Sequence, residues 1–233
     1  AENRVYGKLT LDYRVSAEIL PQKAVLALEE LEYIRSIKVN DREIPLRSAG
    51  KWLDICFDEL SVPDEVWVKG ENRICICMDY HSIGGIEAVY LLGNFGVELN
   101  GGKPVLTDLP EKLASGDITC QGLPFYSGSI FYRLEGMEEG WSDVTVSDFG
   151  GALVKLIGER EETIAFPPYR ASVPGLKEIQ VVLTRRNTFG PLHQKTKFAE
   201  ACHPGSFVTE GKDWSEEYVL YEQGLLKKPE IRR

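Results

Sequence analysis

The chain carries one pattern of short strands twice, and this repeat restricts the folds that it can adopt. The first copy contains IRSIKVNDREIP (34–45), WLDICFDEL (52–60) and VKGENRICICMDYHSIGG (68–85). The second contains GALVKLIGEREETIAFPPY (151–169) and VPGLKEIQVVLTRRNTFG (173–190). Each copy has an apolar strand, a polar turn and a second strand, followed by a loop and a final alternating strand. Such a repeat predicts two β-sandwich units built on one plan.

Size and charge exclude several classes of function. The 233 residues are enough for one large or two small domains, and a hydrophobic content of 43% allows a sizeable core. A formal net charge of -9 argues against nucleic acid as a partner, because phosphate contacts need a clustered basic surface. No apolar run approaches the roughly 20 residues of a membrane-spanning helix. We therefore expect a folded protein with neither a nucleic-acid nor a membrane partner.

Cysteine usage and the first residues favour a cytoplasmic location. The start, AENRVYGK, lacks the charged and apolar regions of a signal peptide. No Cys-x-x-Cys pair and no Cys/His cluster has zinc spacing, so we expect buried free thiols in a reducing compartment. The cysteines are Cys56, Cys75, Cys77, Cys120 and Cys202. An extracellular location stays open if the chain is a piece of a longer protein.

Alternating apolar residues predict strands along the first half. Residues 5–19, 34–39 and 52–60 each alternate, and Asn40-Asp41 predicts a tight turn. In NRICICMDY the isoleucines and Met78 share one face, with the two cysteines on the other. The segment 24–31 is compatible with a strand or a short helix.

The second half also predicts strands and no long helix. Strands are expected at 129–134, 143–150, on both sides of Gly158-Glu159, at 178–186 and at 217–222. No segment keeps a 3.6-residue amphipathic period over three turns. The density of Asp, Pro, Lys and Gly makes 105–117 a connector that can include a short helix. We therefore predict a first domain at 1–104 and a second at 118–233, each a sandwich or jelly roll.

The sequence motifs of both copies resemble those of known protein families. KVNDREIP, FDEL and VKGENRICI resemble the galactose-binding-like jelly roll, as in the sugar-binding-type domains of glycoside hydrolase family 2. The stretch 154–194, together with VYLLGNFGVEL and QGLPFYSGSIFYRL, resembles the C-terminal β-sandwich region of large bacterial proteins related to α-L-rhamnosidases. The resemblance covers residues 33–193. It implies an all-β chain of two galactose-binding-like jelly-roll domains.

The same resemblance implies a non-catalytic role. In such proteins the catalytic domain lies upstream, and a β pattern of this length leaves no room for a catalytic barrel of eight βα units. We expect an accessory or carbohydrate-binding region of a larger bacterial glycoside hydrolase, with a glycan and the upstream catalytic domain as partners. A purely structural supporting role is the alternative. No cofactor is expected, and a structural calcium held by carbonyl groups stays open, because it leaves little trace in a sequence.

The most site-like stretch is QGLPFYSG (121–128). Its Pro-Phe-Tyr sequence between glycines presents rings on a constrained loop, and sugars stack their C–H faces on such rings. Phe125 is the stacking candidate, while Gln121 and Tyr126 can supply hydrogen bonds. The alternative is that both rings cap the end of the core.

Two further loops supply candidates for sugar binding. In RRNTFGPLH (185–193), Arg186, Asn187 and His193 can converge on a polyol or a carboxylate. The alternatives are a solvated arginine and an asparagine that locks a turn. In FPPYR (166–170), the prolines fix a rigid loop that carries Tyr169 as a stacking candidate, unless its ring packs on the sheet edge.

An enzyme is the second hypothesis, although we assign no catalytic residue. MDYHSIGGIEAVY (78–90) brings Asp79, His81 and Glu87 close in sequence, which is compatible with a carboxylate-dependent glycoside hydrolase or a metal site. A structural strand-end cluster is the alternative. The sequence has no GxSxG, Walker or GxGxxG motif.

Overall fold

The predicted all-β class is confirmed. The computed structural model describes residues 4–100, 102–136, 139–195 and 204–233. Within these ranges the chain forms seventeen β-strands in several sheets, one four-residue α-helix and four 3-10 helices. None of the helices in the described ranges has the length and apolar character needed to cross a bilayer. Several sheets in a nearly all-β chain are consistent with a β-sandwich, and the jelly-roll topology stays a prediction.

The chain divides into two compact units. The first comprises Ala1–Asn100 and Pro104–Leu109, and the second comprises Gly101–Lys103 and Pro110–Arg233. The segment expected as a connector, 105–117, begins within a strand, Lys103–Thr107, that pairs in parallel with the first strand of the chain.

The first unit contains a six-stranded and a four-stranded sheet. Its strands are β1 (Val5–Ala17), β2 (Val25–Leu28), β3 (Ile34–Val39), β4 (Arg42–Ile44), β5 (Gly50–Lys51), β6 (Asp58–Ser61), β7 (Gly70–His81), β8 (Tyr90–Leu92), β9 (Gly96–Asn100) and β10 (Lys103–Thr107). Two 3-10 helices, Leu31–Tyr33 and Asp64–Val66, lie between strands. The larger sheet has the order β4-β3-β7-β1-β10-β9 and the smaller one β5-β6-β2-β8.

Alternation along β7 confirms the predicted division of its side chains. Ile74, Ile76 and Met78 are buried in the core of the first unit, while Cys75 and Cys77 lie half-buried on the opposite face. The turn between β3 and β4 is also confirmed. Its residues Asn40 and Asp41 have φ of 50° and 63°, the left-handed conformation that tight hairpins need.

The expected strand at 52–60 is wrong in its first two thirds. Residues 52–57 form the loop of a hairpin, closed by a 3.1 Å bond from the Trp52 N–H to the Phe57 carbonyl. The Asp54 carboxylate accepts from the backbone N–H of Cys56, a local bond that competes with strand pairing. Ile55 is therefore 85% exposed, although its spacing is that of a core residue.

The segment 24–31, compatible with a strand or a short helix, contains both kinds of element. Residues 24–31 form strand β2 and the start of a 3-10 helix. The described cysteines are free thiols, as expected, but Cys56 and Cys120 are exposed rather than buried. Cys202 lies outside the described residues.

The second unit contains a four-stranded and a three-stranded sheet. Its strands are β11 (Ser129–Arg133), β12 (Trp141–Thr145), β13 (Leu153–Ile157), β14 (Glu161–Ile164), β15 (Arg170–Pro174), β16 (Glu178–Val182) and β17 (Glu230–Arg232). The helix α1 (Arg186–Phe189) follows β16, and the remaining 3-10 helices are Ile118–Cys120 and Pro204–Ser206. The sheet orders are β11-β16-β13-β14 and β15-β12-β17. The strands predicted on both sides of Gly158-Glu159 are confirmed as β13 and β14.

The strand expected at 217–222 is absent from the described tail. The backbone there bonds instead to side chains and to isolated partners, such as the bridge between Gly150 and Gly224. The buried amide of Asn187 donates to the Tyr221 carbonyl at 2.8 Å and accepts from its N–H at 2.9 Å. A side chain thus occupies the two backbone positions through which a neighbouring strand would pair.

One buried asparagine fixes the approach to β7. The Asn72 amide oxygen accepts from the Val68 N–H and from the Asn40 amide, and its nitrogen donates to the carbonyls of Val68 and Gly70. We expect Asn72→Ala to lower the free energy of unfolding by about 1–3 kcal/mol, because it removes the four hydrogen bonds of a fully buried amide. Urea unfolding measures this, with the exposed Asn94→Ala as control. Equal stability of the two variants would contradict the assigned role.

Candidate functional site

Phe125, Arg186, Asn187 and His193 adjoin one end of a strand pair in the second unit. Ser129 and Val182 pair at that end of β11 and β16. The loop with Phe125 precedes β11, and the segment with the other three residues follows β16. The Thr188 hydroxyl in α1 donates to the Phe125 carbonyl at 2.8 Å and ties the two segments together.

Aromatic residues of the tail complete the site. We call the following group the tail cluster: Phe125, Arg186, His193, Trp214, Tyr218 and Tyr221. The Tyr218 ring contacts Phe125 edge-to-face at a centroid distance of 5.1 Å and His193 at 4.8 Å. His193 also lies roughly parallel to Trp214 at 6.5 Å. All these rings are half-buried, and burial raises the pKa of the Tyr218 hydroxyl. Such rings combine a packed side with an outer side in reach of a ligand.

The polar groups of the tail cluster are held in defined orientations. The Arg186 guanidinium stacks 5.1 Å from the centroid of Tyr221 and donates to the Pro191 carbonyl at 2.8 Å. His193 Nδ1 lies 3.0 Å from the Ser215 carbonyl. A carbonyl can only accept, so Nδ1 carries the proton and Nε2 is the acceptor of the neutral ring. The cluster therefore offers a planar set of donors and one ring acceptor beside its aromatic side chains.

Asn187 has a structural role beside the tail cluster. Its side chain is 1% exposed and both ends of its amide bond the backbone of Tyr221, so the amide is not presented to solvent. In this position it fixes the tail against α1, which corresponds to the turn-locking alternative and not to direct contact with a ligand.

The other three candidates lie outside the tail cluster. Gln121 uses its amide within its own loop, accepting from the Ala114 N–H at 2.8 Å and donating to the Asp117 carbonyl. Tyr169 packs edge-to-face on Phe149 at 5.2 Å, against the core of the second unit. Tyr126 is exposed, and its hydroxyl donates to the carbonyl of Ser129, the first residue of β11, at 3.4 Å.

Sequence reasoning missed Tyr218 and Tyr221 and left Trp214 undecided. They come from DWSEEYVLY (213–221), which joins the site through contacts between residues 21 to 93 positions apart in the sequence. The one available signal was the presence of three aromatic residues among nine, in a segment from which the sequence predicted only a strand at 217–222.

Asp79 and His81, in the acidic group near β7, each contact a separate polar partner. Asp79 forms a salt bridge with Arg35, and this hydrogen bond holds the pKa of Asp79 below its usual range. His81 is buried, stacked on Tyr33 at 3.6 Å, with Nε2 3.3 Å from a carboxylate oxygen of Glu30. An ionised, paired Asp79 cannot serve as the proton donor.

Glu87 lies instead at a narrow cleft with Glu29 and Glu30. Burial raises the pKa of Glu29, and the Glu87 carboxylate adds to the effect. The cleft has about 20 Å³ of space, which admits about one water molecule and no sugar ring. Across the described ranges, no three or more His, Cys, Asp or Glu side chains are grouped so as to hold a metal ion.

The Arg35–Asp79 pair predicts a titration shift. Because the Asp79 pKa is lowered in the folded state, the pair stabilises the fold above the ordinary aspartate pKa. That contribution is lost as the pH falls through the lowered value. We expect Arg35→Gln to raise the Asp79 pKa towards its usual range in an NMR titration. Arg14→Gln, which removes an exposed pair with Glu71, is the control, and an unchanged Asp79 pKa in Arg35→Gln would refute the assignment.

The role of Asn187 predicts a local loss of protection in the tail. Asn187→Ala removes both bonds to the Tyr221 backbone, so the Tyr221 amide should exchange its hydrogen faster, by an amount equivalent to about 1–3 kcal/mol. The Gln223 backbone N–H provides an internal reference, since it donates to the Asp117 carboxylate at 3.0 Å and not to Asn187. Unchanged exchange at Tyr221 would mean that Asn187 does not hold the tail.

Comparison with known proteins adds no family to this picture. No protein-family model matches the chain, and no curated protein matches it. The resemblance to galactose-binding-like domains and to rhamnosidase-related proteins therefore stays an expectation from the sequence. The geometry of the tail cluster and the chemistry of its side chains are therefore the basis for a functional proposal.

Proposed function

We propose that the chain is a non-catalytic carbohydrate-binding region of a larger glycoside hydrolase-like protein, and that the tail cluster binds a small glycan. The observation that carries this proposal is the set of half-buried rings of Phe125, His193, Trp214 and Tyr218. In the same part of the unit, the guanidinium of Arg186 is held in a fixed orientation on the ring of Tyr221. Rings combined with a few convergent polar groups are the usual means of orienting a sugar.

Recognition follows from the two kinds of surface that a sugar presents. The C–H face of a pyranose stacks on an aromatic ring, for which Trp214 and Tyr218 supply the half-buried candidates. The hydroxyl groups of the sugar accept hydrogen bonds from Arg186 and donate to Nε2 of His193. Few polar groups take part, so the affinity for a single sugar is expected to be weak.

The hydrolase alternative has less support. Of its two proposed carboxylates, Asp79 forms the salt bridge with Arg35, whereas Glu87 lines the water-sized cleft. The cleft lined by Glu87 is too small for a sugar ring. Substrate hydrolysis also needs two carboxyl groups on opposite sides of the scissile bond.

Structural support of another domain is the second candidate. An exposed apolar group lies at the end of β1 and β7 and on the following loop, where the rings of Tyr6 and Tyr80 are 6.0 Å apart. Its members are Val5, Tyr6, Tyr80, Ile83 and Ile86. Exposed apolar groups of this kind occur where proteins contact partners. Under this candidate the chain binds no sugar and covers that group with a neighbouring domain.

Binding of defined saccharides tests the proposed function. We expect at least one sugar in a panel of neutral disaccharides and hexasaccharides based on glucose, xylose, mannose, galactose and rhamnose to bind in calorimetry and to change tryptophan fluorescence. His193→Ala and Tyr218→Ala should each weaken that binding about tenfold, equivalent to about 1.4 kcal/mol. Trp141→Ala is the matched control, because Trp141 is 57% exposed and stacks with Arg160 away from the tail cluster.

The outcomes separate the three functions. Binding that is lost in the cluster variants but not in Trp141→Ala supports the proposal. An absence of binding across the panel overturns it and leaves structural support as the role. Turnover of chromogenic glycosides that Glu87→Gln abolishes would instead identify an enzyme.

A further inference from the structure

The outer face of the four-stranded sheet in the second unit has an unusual composition. Inward positions along its strands are core residues, such as Ile130, Val154 and Ile179. The alternate positions point outward, and strand register aligns four of them in one row across the sheet. This central row consists of Phe131, Gln180, Lys155 and Thr163.

Two further rows flank the central one. One side carries Ser129, Val182 and Leu153. The other carries Arg133, Glu178, Ile157 and Glu161. Aromatic and aliphatic side chains are thus distributed among amide, hydroxyl and charged groups, and Phe131 is 52% exposed at the edge strand β11.

The first unit shows what a simple solvated sheet face looks like in this protein. On its larger sheet, the outward side chains of β1 and β7 include Thr10, Asp12, Arg14 and Arg73. Arg73 pairs with Asp12, and Arg14 pairs with Glu71. That stretch carries no outward ring or branched aliphatic side chain between Lys8 and Arg14. The apolar side chains on the outer face of the second unit therefore distinguish it from this stretch of the first unit, whose larger sheet carries exposed apolar residues instead at the end of β1 and β7.

Charge on this face is balanced locally. Lys155 Nζ lies 2.7 Å from Glu161, and Arg133 Nε lies 3.1 Å from Glu178. The remaining polar contact is neutral, from the Gln180 amide to the Ser129 hydroxyl at 2.9 Å. Pairs of opposite charge leave no net field for an ionic ligand, so the face suits an uncharged ligand that exchanges hydrogen bonds.

Size decides between a protein and a saccharide on this face. Four strands spaced about 4.8 Å apart, each about five residues long, give a platform of about 14 by 17 Å, or about 240 Å². A stable protein interface buries about 800 Å² on each partner. The platform is too small for that, whereas a short run of sugar rings, each with an apolar face and hydroxyl edges, matches its width and its mixture of groups.

We propose that this outer face binds an extended stretch of a neutral polysaccharide chain, laid across β11, β16, β13 and β14. One sugar stacks on Phe131, the aliphatic side chains of Val182 and Leu153 contact the next ring, and Gln180 and Thr163 bond hydroxyl groups. The proposal rests on the proposed function, because it assumes that the chain recognises glycans. It adds a second surface and the ligand class: a chain, not a terminal sugar.

The test compares long and short saccharides on the full chain. In the panel of neutral saccharides, the hexasaccharide of the binding series should bind about tenfold more tightly than its disaccharide. Phe131→Ala should remove most of that difference and leave the disaccharide affinity unchanged. Phe166→Ala is the matched control, because Phe166 is 77% exposed on a loop outside this face and should change neither affinity. Gln180→Ala is the second variant, and unchanged melting temperatures confirm that all variants fold.

Each result decides the inference. Equal affinities for long and short saccharides, or a hexasaccharide affinity that Phe131→Ala leaves intact, overturns the outer face while His193→Ala still tests the tail cluster. Hexasaccharide binding that depends on Phe131 but not on His193 supports the outer face and overturns the tail cluster as the site. If no saccharide binds, both proposals fail.

Discussion

Hydrogen bonds between buried or half-buried side chains and the backbone hold the tail of the second unit, and the candidate site depends on them. Residues 217–225 form no strand, so their backbone groups need other partners. Asn187 bonds both polar groups of Tyr221, the Asp117 carboxylate accepts from the Gln223 N–H at 3.0 Å, and the Tyr132 hydroxyl accepts from the Leu225 N–H at 2.9 Å. These three residues replace a neighbouring strand. Because they fix the tail at successive points, the rings of Trp214 and Tyr218 reach a constant place beside His193.

Much of the fold could be predicted from local patterns, because burial on one face of a sheet imposes a two-residue period. This is why Ile74, Ile76 and Met78 were correctly assigned to the core, and why Asn40-Asp41 was recognisable as a turn. The period misleads where local bonds compete with pairing. At Ile55 an apolar residue with strand spacing lies on an exposed loop that Asp54 stabilises. The error has a physical cause that only the hydrogen bonds reveal.

The candidate site was less accessible to sequence reasoning, because its contacts are long-range. Arg186 and His193 could be selected by residue type, but Tyr218 and Trp214 join them through a tail with no regular period. Residue type alone also cannot distinguish an amide that is exposed to a ligand from one that is hydrogen-bonded within the protein. Asn187 and Gln121 are chemically suited to bind a sugar, yet the amides of both side chains form hydrogen bonds with the backbone of their own unit.

The bridge between Gly150 and Gly224 has a consequence for how the second unit can diverge. A Cβ on Gly150 would lie 1.9 Å from the carbonyl oxygen of Glu222, so the tail passes too close for any side chain at that position. Any larger residue there must displace the backbone that carries the neighbouring rings. The aromatic side chains of the tail can therefore be exchanged without moving its backbone, whereas position 150 admits only glycine. Over evolutionary time we expect the exposed side chains to vary, while position 150 stays glycine.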